Sequence, residues 1–169
     1  MTMNLPKRKD IRLKNFDYSS PNSFFITICT QNRQCLFGTI RNGELQGADG
    51  RPDLMVEEWI LKLEQKYPNL QIDTYVVMPD HVHILLHNPG VEPTKAGDHM
   101  GSPLPQIVSW FKTMTTNAYI RGVKCGKYRP FEDGFWQRNY YEHGIRGSRD
   151  LDELRQYIAE NPFHWTAKR

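Results

Sequence analysis

The sequence predicts an α+β fold, an antiparallel sheet of ferredoxin-like type with covering helices. Three observations predict it. Apolar residues make up 38% and charged residues 24% of the 169 positions, the length and composition of one globular domain. A chain of this size buries roughly 68–70% of its unfolded surface, enough for one core. Apolar runs of strand type alternate with helical patterns in the order strand, short strands, helix, strand, strand, helix, strand, helix. No internal repeat and no second domain is visible, so residues 1–169 read as a single domain, with 1–22 a basic N-terminal arm.

The arm ends in a turn at Ser19-Ser20-Pro21-Asn22. Ser23–Thr30 (SFFITICT) is β-branched and aromatic and reads as a buried strand. Leu36–Leu45 reads as a hairpin around Arg41-Asn42-Gly43, because Asn-Gly favours a tight turn. Leu54–Tyr67 places Leu54, Ile60 and Leu61 in helical register, and Pro68 stops it. Leu70–Met78 is a second strand; the turn Met78-Pro79-Asp80 leads into a third, His81–His87. Asn88–Pro105, with its prolines and glycines, reads as a loop. Leu104–Arg121 is a helix, Gly122–Gly134 a basic loop, and Phe135–Ile145 an aromatic segment that begins as a strand. Asp150–Asn161 is the last helix, with Asp150 and Glu153 spaced as a capping box and Pro162 ending it.

Several classes are excluded. No run approaches the ~18 apolar residues of a membrane span, and the basic N-terminus lacks the apolar stretch of a signal peptide. The three cysteines, Cys29, Cys35 and Cys125, form no C-x-x-C pair. A disulfide framework or cysteine zinc site is therefore not expected, and a cytoplasmic location is. The net charge is only +3, but it is segregated. Met1–Asn15 holds Lys7, Arg8, Lys9, Arg12 and Lys14 against Asp10. Gly101–Arg149 holds Lys112, Arg121, Lys124, Lys127, Arg129, Arg138, Arg146 and Arg149 against Glu132, Asp133 and Glu142. Such segregation suits an anionic partner, most commonly nucleic acid.

The sharpest chemical feature is Met78-Pro79-Asp80-His81-Val82-His83-Ile84-Leu85-Leu86. Alternate strand residues share a face, so His81 and His83 project together and can grip one divalent ion. Their nearest nitrogens should then lie within ~6 Å, given metal–ligand bonds of ~2.0–2.2 Å. Two imidazoles do not fill a coordination shell. On the last helix Leu151, Leu154 and Ile158 form the core-facing stripe, while Tyr157 and Asn161, one turn apart, share its shoulder. The segment Phe135-Trp136-Gln137-Arg138-Asn139-Tyr140-Tyr141-Glu142-His143-Gly144-Ile145-Arg146 offers stacking platforms and phosphate donors.

The spaced set MPDHVHILL, GSPLPQIVSWFK, FWQRNYYEHGIR and DLDELRQYIAENPFHW, with the opening RLKNFDYSSPNSFFITICTQNRQCLFG, resembles the single-tyrosine HUH transposases (insertion-sequence-200-like), in particular the REP-associated tyrosine transposase branch. The resemblance spans most of the chain. It implies an HUH endonuclease fold with helices packed on one face of the sheet. It also implies metal-dependent cleavage and rejoining of single-stranded DNA near a hairpin. His81 and His83 match the metal ligands, Tyr157 the nucleophile, and Asn161 a third ligand. Some relatives carry Gln there; Asn offers the same amide oxygen on a shorter arm. The implied cofactor is Mg²⁺ or Mn²⁺ and the implied intermediate a 5′-phosphotyrosine. Arg12, Lys14, Lys112, Lys124, Lys127, Arg129, Trp136, Arg138, Tyr140, Tyr141, His143 and Arg146 are the candidate DNA-binding residues.

Two other readings share these residues: a metal-dependent phosphoesterase that uses water, and a nucleic-acid-binding module without catalysis. Both monomer and homodimer are compatible with the sequence, with the tyrosine helix acting in cis or in trans.

Overall fold

The computed structural model describes residues 22–88 and 103–166. Residues 1–21, which hold Arg12 and Lys14 of the basic arm, lie outside them, as do 89–102 of the expected Asn88–Pro105 loop. Strand β1 (Asn22–Cys29) is followed by a 3-10 turn (Gln31–Arg33) and the hairpin β2 (Gly38–Arg41)–β3 (Glu44–Gly47). Then come α1 (Pro52–Lys66), β4 (Gln71–Met78), β5 (His81–Asn88), α2 (Pro103–Lys124), β6 (Tyr141–Gly144), α3 (Ser148–Glu160) and a second 3-10 turn (Asn161–His164). The main sheet is antiparallel in the order β4-β5-β1-β6.

Strand alternation divides the sheet into two working faces. Phe24, Ile26 and Ile28 of β1 and Val82, Ile84 and Leu86 of β5 bury against α1 (Val56, Ile60, Leu63) and α2 (Ile107, Val108, Phe111). These two helices form the covering layer. The opposite face carries a smaller cluster of Phe25, Leu85 and Ile158, with Val76, Ile145, Leu151 and Leu154 packed around it. That cluster seats α3, and the stripe read from the sequence is the one that packs. None of the described helices is long and apolar enough to cross a membrane, and all three cysteines are free thiols.

Local sequence accounts for most boundaries. Pro52 opens α1, where a missing N–H costs nothing. Asn42 and Gly43, at φ of 53° and 76°, make the β2–β3 turn, and both signs match a primed hairpin turn. The ring of Phe163 lies against Gly43, where an added Cβ would stand 2.3 Å from it.

Two differences from expectation stand out, beside shifts of one to three residues at the ends of α1 and α2. The segment from Phe135 does not begin as a strand; only an isolated bridge, Thr30 to Trp136, forms before β6 starts at Tyr141. The Lys112 ammonium explains the delay. It donates to the carbonyls of Gln137, Arg138 and Asn139 at 2.9, 3.2 and 3.2 Å, drawing that stretch toward α2. At the last helix the expected capping box does not form. α3 starts earlier, at Ser148, so Asp150 sits in its first turn. Its carboxylate reaches back to the Arg146 N–H at 3.0 Å, while Glu153 accepts from Arg149.

Candidate active site

β5 leaves the Pro79 turn with His81, His83 and Leu85 on the α3 face. Its register against β1 sets His81 opposite Cys29, His83 opposite Thr27 and Leu85 opposite Phe25. The two imidazoles are buried, with their Nε2 atoms 3.0 Å apart. The expected same-face geometry is therefore present.

Each ring is oriented through its other nitrogen. His81 Nδ1 meets Asp80 Oδ1 at 2.6 Å. A carboxylate only accepts, which places the proton on Nδ1 and leaves the Nε2 lone pair bare in the neutral ring. His83 Nδ1 meets the Thr27 hydroxyl at 2.8 Å. That hydroxyl can accept as well as donate, so His83 can also turn a bare Nε2 inward. Burial, the neighbouring His81 and Arg33 push the His83 pKa down to about 3, which keeps this ring neutral. Phe25 stacks on it at 5.1 Å between ring centroids.

α3 closes over this pair. Ile158 is buried in the small cluster, so the adjacent Tyr157 emerges at the helix edge, half exposed. The Tyr157 ring stands edge-on to His83 at 5.4 Å and to Phe25 at 5.9 Å. Asn161 caps the helix one turn later. His81, His83, Tyr157 and Asn161 all line one cleft of about 700 Å³.

The donor set fits a divalent ion. Two nitrogens each ~2.1 Å from an ion and at right angles, as in octahedral coordination, lie ~3.0 Å apart. The His81–His83 separation has this value, and Asn161 lines the same cleft. Among the described residues no group of three His, Cys, Asp or Glu side chains is placed to hold an ion.

The candidate DNA-binding residues divide. Tyr141 lines the cleft, exposed and edge-on to Phe25 at 6.4 Å. Tyr140 turns away, its hydroxyl donating to Glu142 at 3.1 Å under the Lys112 ammonium. His143 lines the cleft and bonds Asp150 at 2.9 Å. This contact, with the Arg146 N–H, holds the Asp150 carboxyl below its usual range. Lys124, Lys127, Arg129, Arg138 and Arg146 are exposed but do not line the cleft. Arg129 also donates to the Cys35 carbonyl at 3.0 Å.

Trp136 is a correction. It is a core residue and not a stacking platform: its ring packs on Phe37, Phe111 and Phe135, and its indole N–H donates to the Thr115 hydroxyl at 2.8 Å. Lys112 is likewise engaged within the protein, by the carbonyls named above.

Sequence reading missed Thr27, Arg33, Asp80, Asp150, His164 and Trp165, all of which line the cleft. Asp80 directly precedes the histidine pair, and Thr27 shares strand parity with Phe25; these were the available signals. Trp165 reaches His81 from the tail, at 5.8 Å between rings.

The described residues thus form a four-stranded antiparallel sheet with two covering helices, and a third helix across the other face that sets a tyrosine over a histidine pair. The chain belongs to the IS200-like transposase family, whose model, described as "Transposase IS200 like", matches residues 23–161. It is 34% identical over 166 residues to an uncharacterised protein of Haemophilus influenzae, covering 94% of this chain and 89% of that one. It is 26% identical over 151 residues to a candidate REP-associated tyrosine transposase of the same organism, covering 86% of this chain and 73% of the relative. Among solved structures it matches a REP-associated tyrosine transposase bound to a REP hairpin, with a TM-score of 0.55 and 22% identity over 92% of this chain and 75% of the other. A candidate transposase from Deinococcus radiodurans matches with a TM-score of 0.51 and 18% identity, over 89% and 98% of the two chains. These two likenesses support the fold.

Proposed function

We propose that this transposase cleaves and rejoins single-stranded DNA beside a hairpin, with Tyr157 as nucleophile and Mg²⁺ or Mn²⁺ held by His81, His83 and Asn161. One observation carries the reading: the paired Nε2 atoms, 3.0 Å apart, lie in the same cleft as a half-exposed tyrosine whose ring is 5.4 Å from His83. A bound divalent ion would withdraw charge from the phosphate and help the leaving oxygen depart. His81 and His83 would hold it through Nε2, their rings oriented by Asp80 and Thr27.

The Tyr157 phenol gives up its proton to solvent, and its oxygen bonds to phosphorus. The bond to the 3′-oxygen breaks, and that oxygen takes a proton from solvent and leaves as a 3′-hydroxyl. The 5′-phosphotyrosine conserves the phosphodiester's free energy, so a 3′-hydroxyl can reverse the step without ATP. An ordinary phenol, pKa ~10, is a weak nucleophile at neutral pH, which is why the chemistry needs an electrophilic partner. Tyr141, exposed in the cleft, stacks a base. Lys124, Lys127, Arg129, Arg138 and Arg146, with Arg12 and Lys14 of the arm, contact flanking phosphates. The hairpin partner is supported by the REP hairpin bound to the structural neighbour.

The test is incubation with hairpin-bearing single-stranded oligonucleotides and Mn²⁺. A covalent protein–DNA adduct mapped to Tyr157 is expected. Cleavage without an adduct would transfer the reaction to water.

A further inference from the structure

We propose that Arg33 is a further catalytic residue, which grips a non-bridging oxygen of the scissile phosphate through its unengaged Nη2. The proposal rests on the transposase reading of the cleft. A reaction at a phosphodiester concentrates negative charge, and a cleft for it needs a fixed positive group. Among the described cleft-lining residues Arg33 is the sole Lys or Arg. The more numerous basic side chains of the loop after α2 stand outside the cleft.

Arg33 is held with unusual care. Its Nε forms an ion pair with Asp80 Oδ2 at 2.8 Å and its Nη1 donates to Cys29 Sγ at 2.6 Å. The side chain is 40% exposed, and Nη2 makes no hydrogen bond within the described residues. With Nε and Nη1 both engaged, the planar guanidinium is held rigidly and leaves Nη2 as the charged donor available to a phosphate oxygen. Asp80 meanwhile links it to the histidine pair, through the bond from its other oxygen to His81. Arg33 is thus one carboxylate away from the ring that carries a proposed ligand, and its charge reaches His83 as well.

The backbone supports the same reading. Asn32 and Arg33 are consecutive non-glycine residues in the left-handed region, at φ of 55° and 54°. Such conformations are uncommon for non-glycine residues and persist where surrounding contacts over-determine them. Here the Thr30 hydroxyl bonds the carbonyls of Gln34 and Asp80, and the Gln34 amide bonds those of Gln31 and Glu132. Neutralising Asp80 alone would not require this conformation or a half-exposed guanidinium.

The test uses the full chain with Mn²⁺ and compares wild type, Arg33→Gln and Arg33→Lys. Three quantities are read: Mn²⁺ affinity by electron paramagnetic resonance, binding of inorganic phosphate by ³¹P line broadening, and adduct formation with the hairpin oligonucleotide at saturating Mn²⁺. Arg33→Gln should bind Mn²⁺ as well as wild type or better, because a nearby positive charge is gone. It should lose phosphate binding and form adduct roughly 10–100-fold more slowly, the range of a lost charge-assisted bond. Arg33→Lys should recover part of both.

A merely structural role predicts weaker Mn²⁺ binding and an adduct rate restored by excess Mn²⁺; that result, or unchanged phosphate binding, overturns the proposal. If wild type forms no adduct, the transposition chemistry fails separately, and the phosphate comparison still decides the role of Arg33. A variant that does not fold is bypassed on the wild-type chain. Inorganic phosphate should protect Arg33 from modification by phenylglyoxal, and lack of protection overturns the proposal.

Discussion

Asp73→Asn should loosen the tyrosine helix from its sheet. Asp73 lies on β4 and accepts from Arg155 of α3, Nε to Oδ1 at 2.8 Å and Nη2 to Oδ2 at 2.5 Å. His87 of β5 meets the same Oδ2 at 3.0 Å. Arg155 is half a turn from Tyr157, so this pair is the polar anchor of the element that carries Tyr157, beside the apolar contacts of Ile158. Its bonds, from Arg155 foremost, lower the Asp73 pKa from 3.8 to about 2. A shift of that size is worth about 2 kcal/mol at 1.36 kcal/mol per unit. Arg155 is 45% exposed, so solvent screening makes this an upper bound.

A depressed carboxyl pKa stabilises fully above the unfolded value and is lost as pH falls through the folded one. The contribution is therefore complete above pH ~4 and disappears toward pH ~2. Urea unfolding at pH 7 should show Asp73→Asn less stable by about 1–2 kcal/mol. The gap should close as both proteins are taken from pH 4 to pH 2. Amide exchange at pH 7 should rise in residues 148–160 more than in α1. Equal stability at pH 7, or a gap that persists unchanged at pH 2, would refute the reasoning.

Thr27→Val removes the hydroxyl that orients His83 at 2.8 Å; Mn²⁺ affinity should fall roughly 10–100-fold, as measured by titration, with the fold intact. Trp136→Phe breaks the buried bond to Thr115 and should cost about 1–2 kcal/mol in denaturant unfolding, while DNA affinity measured by fluorescence anisotropy stays at the wild-type level. Affinity for a hairpin oligonucleotide should fall steeply and linearly on a log–log plot against salt, through counterion release; a flat response would remove the electrostatic account of the basic segments.

Legibility of the sequence followed the range of the interactions. The histidine pair was readable because strand parity is local: with Val82 in the core, His81 and His83 had to share the other face. Tyr157 and Asn161 were readable as neighbours for the same reason, one helical turn apart beside the Leu151, Leu154 and Ile158 stripe. The stripe itself did not say which sheet face it would meet; Phe25 and Leu85 decide that. Residues joined across the chain were not readable. Arg33 reaches Asp80 because a left-handed turn aims it there, and no periodicity encodes that turn. Trp136, amid arginine and tyrosine, resembled a stacking platform. The bridge to Thr30 and the hydroxyl of Thr115 turn it inward instead. Lys112 contributed to a basic segment in the charge count, yet its ammonium is occupied by backbone carbonyls.

The central claim is that Tyr157 is the nucleophile, and the direct measurement is adduct formation by single phenylalanine variants with a hairpin oligonucleotide and Mn²⁺. Tyr157→Phe removes one hydroxyl from a half-exposed ring and leaves its contacts with Phe25 and His83 in place. It should keep folding and DNA binding but lose both the covalent adduct and strand cleavage. Tyr140→Phe and Tyr141→Phe should retain cleavage, since Tyr140 bonds Glu142 away from the cleft and, among the described residues, the Tyr141 ring packs on Phe25 while the Tyr157 ring packs on His83. An adduct that survives Tyr157→Phe and vanishes with either of the other two would contradict the account.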